Sequence, residues 1–352
     1  MTLDDGTRLR LRTHLPSGWA PVPTTAPSPA CRPASAAGSP LESAGTTAGS
    51  PLESAGPPAE SEQTPGESAP RLGQEARVEA ETSAAVVMVH GTLVTDAAYA
   101  ATARALAVRL RAPVATYARR GRSGSSPQPE QDLLAAEAAD LRAVMALTGA
   151  RAVLGHSFGG SVALLAAAEH AADGGRPWTV LTWDAALNLD GMLAGLWRPG
   201  MAEAVADARW GTAWAHLVRD LGTAGPLSRL PVTVLRALFG AARLTPPGRG
   251  MLGLLPASLA EMRAAVAEPV DVRQLVADLA ETPVTLLTGG HSPGFFADTA
   301  QVLTEAAHRP GAPQRTAGMA WRVMPARLHD GPITPEPFML RALAAALRRP
   351  AP

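Results

Sequence analysis

One serine of this chain lies in a pattern typical of a covalent nucleophile. Residues 151–160 read RAVLGHSFGG, so Ser157 has one glycine two residues before it and another two residues after it. Between a strand and a helix such a turn is too tight for a Cβ atom at either glycine, and the serine is held in a strained conformation that exposes its hydroxyl. The helix beginning at Phe158 would direct free amides at the same place, where they favour a developing oxyanion. A chance occurrence of the pattern in a glycine-rich chain is the alternative.

A serine nucleophile needs a general base, and His329 is the candidate among the eight histidines of the chain. It follows the apolar run 321–324 and precedes the last Ala/Leu-rich stretch, which predicts a loop position after the last strand. An ordinary surface histidine on that loop is the alternative.

A mostly parallel sheet would position these residues. From residue 84 onward, short apolar runs alternate with longer Ala/Leu-rich stretches, which is typical of an α/β protein with strands buried on both faces. The predicted strands are Val86–Val89, Pro113–Tyr117, Ala152–Leu154, Thr179–Trp183, Val284–Thr288 and Trp321–Met324. The predicted helices are Ala97–Arg111, Glu130–Thr148, Phe158–Ala172, Phe295–His308 and Glu336–Arg348.

The same patterns divide the chain into five segments. Residues 1–15 predict an opening strand, because Thr7, Leu9 and Leu11 alternate with arginines after a turn. Residues 16–83 predict a low-complexity insertion without structure, since they hold few large apolar residues and repeat an 11-residue unit, GSPLESAGTTA then GSPLESAGPPA. Residues 84–184 and 283–352 predict the two parts of one sheet domain. Between them, residues 185–282 read as short helices broken by Gly and Pro, which indicates an inserted helical cap.

A second motif joins the serine pattern. The predicted strand Val86–Val89 ends in His90-Gly91-Thr92, one strand pair upstream of Ser157. With both motifs the chain resembles the α/β-hydrolase fold family, in its esterase, lactonase and haloperoxidase-like group, over about residues 86–347 and the strand near Leu9. The resemblance implies an α/β-hydrolase fold, with helices on both faces of the sheet and an inserted helical cap.

The resemblance also implies roles for individual residues. The amides of Thr92 and Phe158 would form the oxyanion hole, and His90 would be a structural residue of its turn. The chain order of the family, serine then acid then histidine, agrees with His329 as the base.

The acid of the triad is where the sequence departs from the family. The loop that usually carries it reads GGHSP over residues 289–293, so His291 occupies the position of the acid and supplies no negative charge. Asp184, after the strand Thr179–Trp183, is the best substitute, because some family members place the acid there. Asp298 and Asp330 are weaker alternatives, and a triad without an acid is the remaining one.

The loop 117–125 matches a family loop in part. It reads YARRGRSGS, with Ala118 where the family has Asp and Ser123 where it has a second glycine. The loop is expected to turn as in the family, and a basic loop that binds phosphate is the alternative.

Apolar side chains of the predicted cap supply the substrate prediction. Trp183, Met192, Leu196 and Trp197 lie in or beside its first part, where an apolar face would meet the catalytic floor and favour acyl or aromatic groups. Plain packing at helical spacing is the alternative.

Composition limits the partners. Thirty-one acidic residues balance thirty-one basic ones, all of them arginine, so net charge predicts no attraction to nucleic acid or to a membrane. A single cysteine, Cys31, rules out a disulfide framework or a cysteine metal site, and no metal or cofactor is expected. The absence of a targeting segment predicts a cytoplasmic location. Composition does not predict the oligomeric state.

These observations predict a serine hydrolase that acts on a carboxylic ester, lactone or thioester of a small apolar molecule. A cofactor-free lyase or perhydrolase would use the same residues. A non-hydrolytic ligand-binding relative is the alternative that the missing acid at residue 291 suggests.

We expect deletion of residues 20–79 to leave the fold and the ester hydrolysis of the remaining chain nearly intact, because this segment is repetitive and holds no catalytic candidate. The yield of soluble protein and the rate on a test ester measure both properties. Loss of either one would contradict the prediction.

Overall fold

The computed structural model describes residues 1–16, 84–309 and 318–348. The predicted low-complexity insertion therefore lies, except for Pro16, outside the described residues.

The described residues form a seven-stranded sheet in the order β1-β3-β2-β4-β5-β6-β7. Only β1 runs antiparallel to its neighbour β3, and the remaining pairs are parallel. The strands are β1 (Arg10–His14), β2 (Val86–Val89), β3 (Val114–Ala118), β4 (Ala152–His156), β5 (Thr179–Trp183), β6 (Val284–Gly289) and β7 (Ala320–Met324). The predicted α/β architecture is confirmed, since the apolar runs form buried parallel strands.

The opening strand begins later in the chain than the alternation of residues 5–12 predicts. Residues Thr7 and Leu9 are buried as the pattern requires, but a turn at residues 4–6 and a single bridge between Thr2 and Arg8 precede the regular strand. The hydrogen-bonded ladder with β3 begins only at Arg10.

Helices cover both faces of the sheet. They are α1 (Ala100–Leu110), α2 (Leu133–Thr148), α3 (Phe158–Ala172), α4 (Pro199–Ala206), α5 (Trp210–Leu221), α6 (Val232–Ala242), α7 (Pro246–Gly253), α8 (Leu255–Ala267), α9 (Val272–Asp278), α10 (Gly294–Ala307) and α11 (Pro337–Leu347). Helices α2, α3, α9 and α10 share one apolar core with the sheet, and α1 and α11 share the core on the opposite face.

The insertion between β5 and β6 is shorter than the sequence predicts. Helices α4 to α8 pack on an apolar core of their own, which includes Met201, Leu217 and Leu259. Helix α9 instead packs in the core beside α3, through side chains such as Leu275. The predicted boundary at residue 282 is therefore wrong, because α9 is the helix that leads into β6. We define the cap as residues 190–269.

The two ends of the cap are joined by hydrogen bonds. Leu189 and Val270 form an isolated parallel bridge, and the amide of Val270 donates to the carbonyl oxygen of Asn188 at 2.9 Å. The side chain of Asn188 donates to the carbonyl oxygen of Val266 at 2.8 Å and accepts from the amide of Leu193 at 2.8 Å. The chain thus enters and leaves the cap at one place.

Candidate active site

Ser157 lies in the turn between β4 and α3. Its backbone has φ 55° and ψ −125°, a conformation that an L-residue adopts only under constraint. Its amide donates to the carbonyl oxygen of Trp183 at 2.8 Å, and its carbonyl oxygen accepts from the amide of Gly160 at 2.8 Å. The strained turn that the sequence predicts is present.

Close backbone packing explains the two flanking glycines. A Cβ atom at Gly155 would lie 2.3 Å from the carbonyl oxygen of Gly159. A Cβ atom at Gly159 would lie 2.5 Å from the carbonyl oxygen of Val89. Helix α3 therefore begins against the backbone of both β2 and β4, where only glycine fits.

The loop after β2 contacts the serine. A Cβ atom at Gly91 would lie 3.0 Å from Cβ of Ser157. His90 is buried, its Nε2 accepts from the amide of Arg119 at 3.1 Å, and its Nδ1 lies 2.9 Å from the carbonyl oxygen of Gly91. Burial, helped by the charge of Arg119, lowers the pKa of His90 well below 6.5. His90 is thus a neutral residue bonded to the backbone of its own turn.

Arg119 orients the two segments that carry the predicted oxyanion amides. Its guanidinium donates to the carbonyl oxygens of His90 at 3.0 Å and Gly91 at 3.1 Å, and it lies 4.8 Å from the ring centre of Phe158. In a trans peptide the C=O and N–H bonds point in opposite directions, so the Thr92 N–H points away from Arg119. Phe158 is the first residue of α3, so its N–H has no acceptor within the helix.

Asp184 and His329 are brought together. Asp184 follows β5 and is fully buried, and its Oδ2 accepts from His329 Nδ1 at 3.0 Å. The same oxygen accepts from the hydroxyl of Ser292 at 2.6 Å, and Oδ1 accepts from the amide of Gly289 at 2.9 Å. The carboxylate is therefore fixed by three donors, of which one is the predicted base.

The other carboxylate candidates lie elsewhere. Asp298 and Asp330 are exposed, and His291, at the family's usual acid position, is exposed as well. Sequence reasoning missed Ser292, although it directly follows His291. Only the register of β5 against β6 shows that its hydroxyl reaches Asp184.

The ring of His329 is held on two sides. It stacks on Phe296 with 4.6 Å between ring centres and 14° between ring planes, and the ring of His156 lies 4.7 Å away. His156 Nε2 lies 2.7 Å from the carbonyl oxygen of His329, so this nitrogen must carry the hydrogen and donate it. Because His156 directly precedes Ser157, the loop after β7 is tied to the turn that holds the serine.

His156 continues a buried chain of hydrogen bonds. With the hydrogen on Nε2, its Nδ1 accepts from the hydroxyl of Tyr99, which in turn accepts from the amide of Gly91 at 3.2 Å. Burial lowers the pKa of His156 well below 6.5, and the charge of His329 acts in the same direction. The neutral ring thus links the loop after β2, the serine turn and the loop after β7.

Trp183 is not available to a substrate, so its predicted binding role is wrong. The side chain is fully buried in the core shared by the sheet with α1 and α11. A Cβ atom at Gly331 would lie 2.3 Å from its indole ring. Trp183 therefore packs against the loop that carries His329 and supports its position.

The three other predicted substrate contacts lie in the cap. Met192 is exposed, whereas Leu196 and Trp197 are half-buried against the cap core. Their contact with a substrate stays a prediction.

The arginines after β3 do not form a phosphate site. Arg119 and Arg122 are buried, and both bind Glu261 of α8, at 2.8 Å and 2.5 Å. Arg120 binds Asp140 with two nitrogens, at 2.7 Å and 2.8 Å. The phosphate-binding alternative is wrong, because internal carboxylates already pair these guanidinium groups.

Glu261 also binds the loop after β2. Its carboxylate accepts from the hydroxyl of Thr92 at 3.0 Å and from the side-chain amide of Gln128 at 3.2 Å. Burial alone would raise the pKa of Glu261, but the charges of Arg119 and Arg122 outweigh it and hold that pKa below its usual range. Sequence reasoning missed this residue, because a lone glutamate in an apolar helix does not reveal its partners.

A second buried carboxylate faces Arg119 from α2. Glu137 lies 3.2 Å from the guanidinium, and burial raises its pKa to about 7 although Arg119 opposes the shift.

Among the residues that the structure describes, no group of three or more His, Cys, Asp or Glu side chains could hold a metal ion.

Solved structures share this arrangement of strands and helices. A bromoperoxidase from Bacillus anthracis matches with a TM-score of 0.52 and 17% identity, over 75% of this chain and 91% of that one. Est816, described as an N-acyl homoserine lactone degrading enzyme, matches with a TM-score of 0.51 and 17% identity, over 74% and 92%. The chain has the α/β-hydrolase fold.

A third α/β-hydrolase supports the same assignment. A carboxylesterase of the ammonia-oxidizing thaumarchaeon Nitrososphaera gargenis matches with a TM-score of 0.50 and 15% identity, over 74% of this chain and 89% of that one. No protein-family model and no curated protein sequence matches the chain. The α/β-hydrolase assignment therefore depends on three-dimensional structure, and identities this low establish the fold alone.

We expect Gly331→Ala to slow any reaction that uses His329, on the order of 100-fold, because the added methyl group meets the Trp183 indole and shifts the loop. Trp183→Phe removes the indole atoms nearest to residue 331, so the double variant should recover part of the rate. Hydrolysis of a test ester measures both effects. The matched control is Gly253→Ala, where the new Cβ meets no atom within 4 Å; a loss of rate as large in the control would contradict the prediction.

We expect the ring of His156 to remain neutral in the folded protein as the pH falls through 6.5, because burial lowers its pKa well below that value, whereas the same residue in the urea-unfolded chain titrates near 6.5. The unfolded state then binds a proton that the folded state excludes, so His156 lowers the free energy of unfolding as the pH falls through 6.5. Nitrogen chemical shifts of the imidazole measure its protonation directly. A shift change centred near 6.5 in the folded protein would contradict the expectation.

Proposed function

We propose that this protein is a serine hydrolase with Ser157 as nucleophile, His329 as general base and Asp184 as the acid that orients the base. The observation that carries the proposal is the hydrogen bond from His329 Nδ1 to the buried Asp184, beside the strained turn of Ser157. A buried carboxylate on Nδ1 fixes the tautomer that leaves Nε2 free to accept a proton and stabilises the imidazolium that results.

The proposed reaction uses only groups of this chain. Ser157 Oγ attacks the substrate carbonyl while His329 Nε2 takes its proton, and the amides of Thr92 and Phe158 stabilise the oxyanion. The tetrahedral intermediate collapses to an acyl-enzyme as His329 returns the proton to the leaving alkoxide or thiolate. Water, activated by His329, then releases the carboxylic acid and restores Ser157.

The proposed substrates are carboxylic esters, lactones or thioesters of small apolar molecules. The half-buried Leu196 and Trp197 and the exposed Met192 supply apolar surface in the cap. The solved structures similar to this one include a carboxylesterase and an N-acyl homoserine lactone degrading enzyme, which is consistent with carbonyl substrates of this type.

The non-hydrolytic alternative arose from His291 at the usual place of the acid. The hydrogen bonds of Asp184 to His329 and Ser292 favour the hydrolase, because a binding protein needs no carboxylate fixed on a histidine. The serine hydrolase and the non-hydrolytic binding protein predict different results for covalent labelling of Ser157.

We expect a fluorophosphonate to label the protein covalently and Ser157→Ala to abolish the labelling. Asp184→Asn keeps the shape but favours the wrong tautomer of His329, so the rate constant kcat for a short-chain p-nitrophenyl ester should fall by roughly 10⁴-fold. The matched control is Asp298→Asn, which changes an exposed carboxylate on α10 and should retain the rate. A folded wild type that is not labelled but still binds apolar ligands would support the non-hydrolytic alternative.

A further inference from the structure

Two buried side chains of the cap helix α8 bind the loop after β2. Ser258 and Glu261 are three residues apart on this helix, so they lie on the same face, and both are fully buried. The hydroxyl of Ser258 accepts from the amide of Leu93 at 3.1 Å, and the carboxylate of Glu261 accepts from the hydroxyl of Thr92 at 3.0 Å. One face of a cap helix therefore holds two successive residues of this loop.

The bond to Ser258 stabilises a strained residue. Leu93 has φ 61°, in the left-handed region that a leucine rarely adopts. The hydroxyl of Ser258 donates its hydrogen to the carbonyl oxygen of Leu254 at 2.7 Å, so its oxygen is left to accept from the Leu93 amide. The backbone that follows Thr92 thus keeps a costly conformation through a contact with the cap.

The peptide group between Gly91 and Thr92, which carries the predicted oxyanion donor, is held at both ends. Arg119 donates to the carbonyl oxygen of Gly91 at 3.1 Å, whereas α8 binds the side chain of Thr92 and the amide of Leu93. Arg119 itself lies 2.8 Å from the carboxylate of Glu261. Glu261 therefore acts on this peptide group directly through Thr92 and indirectly through Arg119.

A buried guanidinium joins the two cap residues. Arg122 donates to the hydroxyl oxygen of Ser258 at 3.3 Å and to Glu261 at 2.9 Å, and it also donates to the carbonyl oxygen of Val94 at 3.2 Å. Hydrogen bonds between charged groups are stronger than neutral ones. If α8 left the loop, two buried guanidinium groups would lose their shared carboxylate, which is strongly destabilising.

We propose that Ser258 and Glu261 are positioning residues, through which the cap directs the amide of Thr92 at the oxyanion. The inference rests on the proposed function, because that reaction forms the oxyanion. A displacement of a reacting or stabilising group by about 1 Å can lower a rate on the order of 100-fold. Helix α8 must then stay on the loop after β2 throughout the reaction, so any movement of the cap that admits a substrate occurs in its other helices.

Hydrolysis of a short-chain p-nitrophenyl ester by the full chain tests the proposal. Ser258→Ala removes the acceptor of the Leu93 amide and should lower kcat about tenfold, and Glu261→Gln removes the buried charge and should lower it on the order of 100-fold. KM should change by less than about twofold, because the oxyanion is absent from the bound ground state. A purely structural role would lower the yield or the Tm without lowering kcat per folded molecule.

Thr245→Ala is the matched control. The hydroxyl of Thr245 donates to the carbonyl oxygen of Ala242 at 2.9 Å and accepts from the amide of Gly248 at 3.2 Å. It therefore makes the same two kinds of bond as Ser258, also within the cap, but neither partner belongs to the loop after β2. This variant should keep both kcat and KM.

Amide hydrogen exchange of the full chain provides a measurement without turnover. In Ser258→Ala the amide of Leu93 loses its acceptor, so we expect it to exchange about tenfold faster than in the wild type. In Thr245→Ala the exchange of the same amide should be unchanged.

Three outcomes would overturn the proposal. The first is an unchanged kcat in Ser258→Ala, or an equal loss in Thr245→Ala; this comparison decides even if Glu261→Gln does not fold. The second is unchanged exchange of the Leu93 amide in Ser258→Ala. In both, an active wild type that a fluorophosphonate labels leaves the proposed function intact. The third is a wild type that is not labelled, which would overturn the proposed function together with this inference.

Discussion

The buried carboxylate of Glu261 makes the interactions on which the geometry of the candidate active-site edge of the sheet depends. It neutralises Arg119 and Arg122 inside the protein, where unpaired charges would be strongly destabilising. Arg119 in turn holds the carbonyl groups of the loop after β2, and Thr92 of that loop donates to Glu261 itself. Because Glu261 belongs to α8, the position of the cap and the orientation of the predicted oxyanion amides are fixed by one set of contacts.

A second network fixes the opposite side of the same edge. The neutral ring of His156 accepts a hydrogen bond from the Tyr99 hydroxyl and donates one to the carbonyl oxygen of His329. The carboxylate of Asp184 accepts a hydrogen bond from the His329 ring. Desolvation keeps His156 uncharged, so the part of this network from Tyr99 through His156 to the backbone of His329 carries no formal charge, in contrast to the ion pairs of Glu261. The serine turn therefore lies between an ionic support and a neutral one.

Short sequence patterns are sufficient to predict those features of the fold that depend on neighbouring residues in the chain. The parallel strands, the turn of Ser157 and the loop position of His329 each follow from short stretches of sequence. The partners of Asp184 and Glu261 do not, because they depend on the packing of elements more than a hundred residues apart. Trp183 was misassigned because strand alternation does not tell which face of the sheet a residue meets.

The closed stem of the cap has a consequence for how this protein can vary. The two ends of the insertion lie side by side, held by contacts of Asn188, Leu189 and Val270. The distance that the insertion spans between β5 and β6 is therefore that of a short loop, whatever the length of the insertion. Helices can be added, lost or exchanged beyond this stem without moving Asp184 relative to β6 and β7. The constraint that remains is Glu261, since any replacement insertion must still provide a carboxylate to two buried arginines. The cap can therefore diverge by exchange of a module, while the contact between Asp184 and His329 is inherited unchanged.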